Sequence, residues 1–556
     1  MPTLNPQHTD AVFIGYEDQE NLGLRSIMAT LEANGFSTAL VPYIPGNSQD
    51  ILCAIKDYSP KLVGFSIIFQ YSLDEFIELA SALRKVGVNA HFTVGGHLPS
   101  LRPAEVLESM PQIDTVVRFE GEFTTLELLR NLQHKEKWRS IKGLAFRVNN
   151  EIVINPPRPL IDNLDSLSQS QLLKRQARTL TRGIRSVSML ASRGCLHNCS
   201  FCSIRQFYGG APGILRRTRR PEAVVAEMKS LFEADGVRLF IFQDDDFAAK
   251  TPQQRLWVDN FLQAMDDEHL TGLVRWKISC RVDDVEKEIF ARLRDYGLMM
   301  VYLGVESGNP AGLKTLNKHV TVEQNEQAVN VLKSIDLAFD MGFMLFDPDS
   351  TVSTIRENID FLKQITGDGT CPANFCKMLP YAGTPIEERL KKEGRLKGTI
   401  SNPDYDFIDP RLDWYSLYIA MTFRFRNFDR LGLVERLRTA RFDQLLAQAF
   451  EPSSKNKNYK MALRKITARA NAVALDYLER ALSFVESRDV KTLLADWSLL
   501  SNLADPQWSA EVEIQQDLDR ILREYNQDLL RVFADEFSRR ISQKRESISY
   551  EAREAF

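Results

Sequence analysis

Three cysteines, Cys195, Cys199 and Cys202, fall in the run Arg193-Gly194-Cys195-Leu196-His197-Asn198-Cys199-Ser200-Phe201-Cys202, directly after the apolar stretch Val187-Ser188-Met189-Leu190-Ala191. Thiolates are the protein ligands of iron–sulfur clusters, and a [4Fe–4S] cube has four irons to hold. Cysteines at C-x3-C-x2-C spacing with no fourth nearby leave one iron open, able to chelate a small molecule and pass it an electron. Two plainer readings compete. A zinc site wants a fourth ligand close by and could find it only in His197, inside the same tight loop; alternatively, all three are buried thiols. The other four cysteines, Cys53, Cys280, Cys371 and Cys376, are scattered. This is the pattern of a cofactor site in a reducing compartment rather than of a disulfide framework, and it makes the cytoplasm the expected location. Cys371 and Cys376 have no metal partner in sequence and read as buried, inert thiols.

A chain of 556 residues holds two to four domains, and 44% hydrophobic with 26% charged residues is ordinary for globular protein. The net charge of −4 lacks the basic excess of a general nucleic-acid binder. Met1-Pro2-Thr3-Leu4-Asn5-Pro6 has no basic and apolar leader pattern, so no signal peptide is expected. No apolar run approaches the ~18 residues of a membrane span.

The elements that must position the cysteines alternate in type. Over residues 10–130, short apolar runs (11–15, 37–41, 62–66, 90–96) alternate with helical patterns such as 20–34, which ends at Gly35. Strands this apolar imply a parallel sheet covered on both faces, with ligands outside its carboxyl edge. Gly95-Gly96 lets backbone approach a ligand closely, though it also suits a plain tight turn. His97 next to it reads equally as a cofactor contact or as a cap on that turn. Residues 141–184 read as a small hairpin and a Pro-rich linker. Candidate strands at 187–191, 238–243, 275–280, 299–304, 339–345 and 374–379 then give a partial β/α barrel, with function at the carboxyl ends of its strands. Beyond about 400 the pattern turns helical (459–487, 512–539), and this region is expected to lid the barrel and shape the substrate pocket. The expected fold is therefore α/β, in four parts. These are a doubly wound parallel sheet (1–140), hairpin and linker (141–184), a partial barrel (185–390) and a helical domain (391–556).

Several strand ends carry more charge than a structural barrel needs: Gln243-Asp244-Asp245-Asp246, Arg281, and Gly304-Val305-Glu306-Ser307-Gly308. Singly, each reads as a helix cap; at successive strand ends they converge on one site. Arg216-Arg217-Thr218-Arg219-Arg220 reads first as a solvated face and second as a surface for cofactor anions.

The cysteine spacing, with an aromatic residue just before Cys202, resembles the radical S-adenosylmethionine (SAM) superfamily. The features Glu20-Asn21-Leu22-Gly23-Leu24, Val94-Gly95-Gly96-His97 and Arg118-Phe119-Glu120-Gly121-Glu122 resemble the cobalamin-binding domain that precedes many radical SAM domains. The resemblance covers roughly residues 10–390. It implies that Cys195, Cys199 and Cys202 hold a [4Fe–4S] cluster, and that Asp244, Asp245, Arg281, Glu306 and Ser307 contact SAM. It also implies that Glu20, Gly23, Gly95, Gly96 and His97 border cobalamin. Where the wider cobalamin family has a D-x-H-x-x-G loop whose histidine binds cobalt, this chain reads Asp18-Gln19-Glu20-Asn21-Leu22-Gly23. No histidine is therefore expected on the cobalt, and a domain that binds nothing is the competing outcome.

The resemblance further implies cleavage of SAM to a 5′-deoxyadenosyl radical and methyl transfer from methylcobalamin to an unactivated carbon of a small-molecule or natural-product substrate. An electron donor such as flavodoxin or ferredoxin is implied as partner. The catalytic acid or base is not readable. The same layout also serves ring-forming and rearranging enzymes that transfer no methyl group. A non-catalytic iron–sulfur or cobalamin sensor is the alternative of another class. A tRNA methylthiotransferase would need three further cluster cysteines near its N-terminus, where this chain has only Cys53.

Overall fold

In the computed structural model, which describes residues 9–537 except 19, 150, 168–177, 496 and 497, the apolar runs of the N-terminal part form five strands. These are β1 (Ala11–Gly15), β2 (Thr38–Pro42), β3 (Leu62–Ser66), β4 (His91–Gly95) and β5 (Thr115–Val117). They pair in parallel in the order β2-β1-β3-β4-β5. Every residue of β1 and β3 is buried, as strands covered by helices on both faces must be. The chain order reverses between β1 and β3, and a crevice opens at their carboxyl ends. The helix Leu22–Ala33 begins where the Asn21 side chain accepts the Leu24 N–H, and Gly35 takes the positive φ that follows its end.

The hairpin of β6 (Leu144–Val148) and β7 (Glu151–Ile154) continues this sheet antiparallel beyond β5. The 141–184 segment therefore divides: its hairpin covers the edge that β5 would otherwise expose, and only the chain after Ile154 runs between the sheets.

The second sheet begins with β8 (Arg178–Thr179), an antiparallel edge on β9 (Arg185–Met189). After a short ribbon of β10 (Ser192–Arg193) and β11 (Arg217–Thr218), it continues through β12 (Val237–Phe242), β13 (Arg275–Arg281), β14 (Leu298–Glu306), β15 (Ala338–Phe346) and β16 (Cys376–Lys377). From β9 to β16 the strands run parallel, in chain order, as a half-barrel. Alternation sorts their side chains: along β13, Trp276, Ile278 and Cys280 are buried under the outer helices, while Lys277 and Ser279 face inward. Thr251, Thr321 and Thr351 open the outer helices with reciprocal capping boxes, so cap chemistry is present without using the strand-end acids.

The C-terminal helices include Pro410–Phe428, Leu433–Phe450, Ser454–Glu486 and Ser498–Tyr525; the expected helix end at 538–539 lies outside the described residues. Their place corrects the expectation of a lid. Leu446 packs on Leu239 and Met300, near the amino ends of the barrel strands. From the same helix, Arg441 donates to Asp340 Oδ1 at 2.8 Å and to the Phe339 carbonyl at 3.0 Å. A half-barrel leaves inward apolar residues uncovered at its floor, and the helix Leu433–Phe450 plugs the floor, while Tyr415 of the helix Pro410–Phe428 packs on Phe346 at the end of β15. Among the described residues, no helix is long and apolar enough to cross a membrane.

Candidate active site

The cysteine loop is held by the acids that follow β12. Asp244 accepts the Ala191 N–H (3.1 Å) and the Ser192 hydroxyl (2.5 Å), and Asp245 accepts the Gly194 N–H (2.8 Å). Gly194 is obligatory: its φ is +85°, and a Cβ there would stand 1.8 Å from the Leu215 carbonyl oxygen. Burial pushes the Asp244 and Asp245 carboxyls up to about 6. Cys199 is buried and Cys195 and Cys202 are half-buried. Burial pushes the thiols of Cys195 and Cys202 up to about 11 and 12, so a bound metal is what would strip their protons. Arg281, at the end of β13, lies with Nη1 3.7 Å from Cys199 Sγ, its other nitrogens donating to Asp283 (2.8 Å) and the Lys318 carbonyl (2.7 Å). Among the described residues no three His, Cys, Asp or Glu side chains converge on a point for a single ion; a cube instead takes each thiolate on a separate iron.

Arg193, beside that loop, ties it to the first domain. Its guanidinium donates to Glu120 (2.9 Å), pairs with Glu122 (2.8 Å) and reaches Ser26 Oγ (3.1 Å). Glu120 also receives Arg217 (2.8 Å) and the Ile161 N–H (2.7 Å). Burial alone would raise the Glu120 carboxyl; Arg193 and Arg217 more than offset it and hold it below the usual range. The basic run is thereby corrected as well. Arg217 and Arg219 are buried, the latter on Glu227 at 2.6 Å, and Arg216 donates to the Asp246 carbonyl at 3.2 Å. Of these four arginines only Arg220 is well exposed. The run fastens two domains together and does not form a solvated face, because acids from both sides meet it.

A cavity of about 820 Å³ lies between the carboxyl ends of the two sheets, within the range of cofactor and small-molecule sites. Glu20, Gly23, Gly95, Gly96 and His97 line it on one side; Cys202 and Asp245 line it on the other. Gly96, at φ +119°, admits only glycine, since a Cβ would stand 2.2 Å from the Ile67 carbonyl oxygen. His97 neither caps the turn nor stands free: Nδ1 bonds Ser203 Oγ at 2.9 Å, and the ring stacks on Phe207 at 4.5 Å. Burial lowers its pKa to about 4, keeping it neutral. Glu20 crosses to the second sheet, where its carboxylate accepts the Ser188 N–H. Glu20 (φ +60°), Phe119 (+62°) and Glu306 (+69°) occupy left-handed backbone on three of the loops singled out from sequence, a strain that concentrates at functional sites.

Other expected residues sit elsewhere. Glu306 pairs with Lys318 at 3.1 Å near the barrel axis. Ser307 is buried in a network with Asn309 and Asn358 and does not line the cavity. Among the described residues none after Ala382 lines it; the C-terminal region reaches it only at the rim, where Arg430 pairs with the lining residue Asp18 at 2.9 Å. Tyr208, which lines the wall beside the cysteines, carried no signal in the sequence; nor did the pairing of Arg193 with Glu120, 73 positions away.

The B12-binding domain family matches residues 15–129, and the radical SAM superfamily matches residues 189–362. The chain belongs to the B12-binding radical SAM enzymes. An uncharacterized methyltransferase of Pyrococcus horikoshii is 29% identical over 364 residues, covering 65% of this chain and 76% of its own length. The anaerobic magnesium-protoporphyrin IX monomethyl ester cyclase of Cereibacter sphaeroides is 27% identical over 384 residues, covering 67% of this chain and 60% of its own. The solved structure of OxsB, a cobalamin-dependent SAM radical enzyme with aqua-cobalamin and SAM bound, superposes with a TM-score of 0.66. It does so at 16% identity, over 96% of this chain and 84% of that one.

Proposed function

We propose that this enzyme methylates an unactivated carbon of a small-molecule or natural-product substrate. The observation that carries the reading is one cavity walled by the Gly95-Gly96-His97 turn of the B12-binding sheet and by Cys202-Ser203 of the radical SAM loop, the two walls joined by the His97–Ser203 hydrogen bond. Bound there, the cluster supplies the electron that cleaves SAM, and cobalamin supplies the methyl group.

The chain's own residues divide the remaining work. Cys195, Cys199 and Cys202 hold the cluster. Asp245 faces SAM from the cavity wall; Arg281, beside Cys199, and Glu306, paired with Lys318, serve it from the barrel side, and Asp244 from behind through Ala191 and Ser192, while Ser307 braces the end of β14 through Asn309 and Asn358. Gly23, Gly95 and Gly96 let the corrin lie against backbone. Glu20, engaged with Ser188, would offer the cobalt no imidazole from the loop, and His97, its Nδ1 on Ser203 and its ring stacked on Phe207, would border the corrin. The site works in the cytoplasm, on electrons from a flavodoxin or ferredoxin.

The Cereibacter relative favours a second reading, ring closure without methyl transfer. Turnover with labelled SAM separates the two. Methyl transfer yields 5′-deoxyadenosine and S-adenosylhomocysteine in about equal amounts, because each product methyl consumes one SAM at the cluster and one at the cobalt. 5′-Deoxyadenosine accompanied by no S-adenosylhomocysteine would overturn methyl transfer in favour of cyclisation.

A further inference from the structure

Inside the half-barrel, below the cluster loop, the charges do not balance. Lys277 faces inward from β13, in register with Ile241 on β12 and Met300 on β14. One step further along, Ser279, Tyr302 and Asp340 lie side by side on β13, β14 and β15. The floor helix Leu433–Phe450 adds Arg438 and Arg441. Arg441 is fully engaged with Asp340 and the Phe339 carbonyl. Arg438, one turn earlier, is not. Its Nε forms a loose ion pair with Asp340 Oδ2 at 3.8 Å, too long for a hydrogen bond, and has no hydrogen-bond partner among the described residues. Lys277 makes no hydrogen bond or ion pair among the described residues. Asp340 and the nearby Glu435 thus answer three cations, while Glu306 is already taken by Lys318.

A cation withdrawn from water without a partner is costly, and an anion placed beside it removes the penalty. There is room for one. Tyr302 points inward from the middle of a strand, yet the residue is 39% exposed, and the Arg438 side chain keeps 20% of its surface, so neighbouring protein does not fill the space around them.

We propose that Lys277 and Arg438 bind an anionic group of the substrate, a carboxylate or a phosphate, inside the half-barrel, with the Tyr302 hydroxyl as a further donor. Calling that anion part of the substrate rests on the function proposed above; the anion site itself does not. A planar, five-donor guanidinium and a compact ammonium together suit an oxyanion that takes bonds from two sides.

The test uses the full-length protein and pyridoxal 5′-phosphate, an anionic aldehyde. It condenses with an amine to an imine and water, and borohydride then adds hydride to fix the adduct for peptide mapping. Lys277 is expected to be the foremost adduct and to be protected by free anions. Protection by inorganic phosphate alone assigns a phosphate-bearing substrate, by succinate alone a carboxylate, and by both the shared oxyanion chemistry. Arg438→Gln should lower Lys277 labelling by about tenfold or more, the worth of a charge-assisted bond, and Arg438→Lys, which keeps the charge, should restore part of it. Labelling of Lys277 no faster than that of exposed Lys397, equal labelling by neutral pyridoxal, or indifference to both anions would overturn the proposal. Conversion of SAM to 5′-deoxyadenosine is assayed separately on the same preparation. Its failure alongside anion-protected Lys277 sinks the enzymatic reading and leaves the anion site standing.

Discussion

Replacing Cys195, Cys199 and Cys202 together with alanine removes the brown iron–sulfur chromophore and takes SAM cleavage to background, while the fold survives. The chemical loss should be total because each thiolate would hold one iron, and no other cysteine lies close in sequence to stand in. Survival of the fold follows from what shapes the loop. Gly194 supplies the turn, Asp244 and Asp245 hold its backbone, and Arg193 anchors it to Glu120 and Glu122. None of these contacts uses sulfur. Cys195 and Cys202 are only half-buried, so truncating either should cost about 1 kcal/mol or less. Iron content, SAM cleavage and circular dichroism of the triple variant read the two effects apart. Iron and cleavage that persist would refute the assignment; loss of secondary structure would refute the account of the loop.

Glu120→Ala should be the most damaging single change outside that loop. It removes the carboxylate shared by Arg193 and Arg217, leaving Arg217 with a carbonyl, while its Nε and Nη2 already lack partners among the described residues. Breaking a buried pair from one side costs about 3–5 kcal/mol. Glu120→Gln, which keeps an acceptor oxygen, should cost about 1–3 kcal/mol. The sign with pH is definite. Because the carboxyl is held below its usual value, its contribution is present above the unfolded carboxylate pKa and is lost as pH falls through the folded one. Denaturation midpoints at neutral and acidic pH measure both effects. A midpoint for Glu120→Ala equivalent to within about 0.5 kcal/mol of the parent would mean that the rivet holds nothing.

Much of the scaffold was legible because local pattern and tertiary role agree. The buried runs at 11–15 and 62–66 and the inward-outward alternation of 275–280 belong to strands that could not be buried any other way. The strand-end acids were legible as a cluster but not in their orientation. Asp244 and Asp245 grip backbone N–H groups of the cysteine loop, and that depends on where the loop passes. Partnerships across domains left no local mark. The arginine run at 216–220 reads as solvated until Glu120, Asp165 and Glu227 meet it, and the C-terminal helices show a core-forming periodicity that is the same for a lid and for a floor. The hairpin at 144–154 could not be placed, since an antiparallel edge is defined by the strand it joins. Lys277 and Arg438 looked ordinary for the same reason: one sits on a strand, the other on a helix more than 150 positions away, and only the barrel brings them together.

Cobalamin should sit in the cavity between the Gly95-Gly96 turn and the cysteine loop, with no protein imidazole on the cobalt. Electron paramagnetic resonance of the cob(II)alamin form of the full-length protein tests it most directly. Stoichiometric uptake is expected, with a cobalt signal free of nitrogen splitting from a protein ligand, since Glu20 stands at the histidine position of the loop and bonds Ser188. Splitting by an imidazole nitrogen, or a protein that takes up no cobalamin, would contradict it.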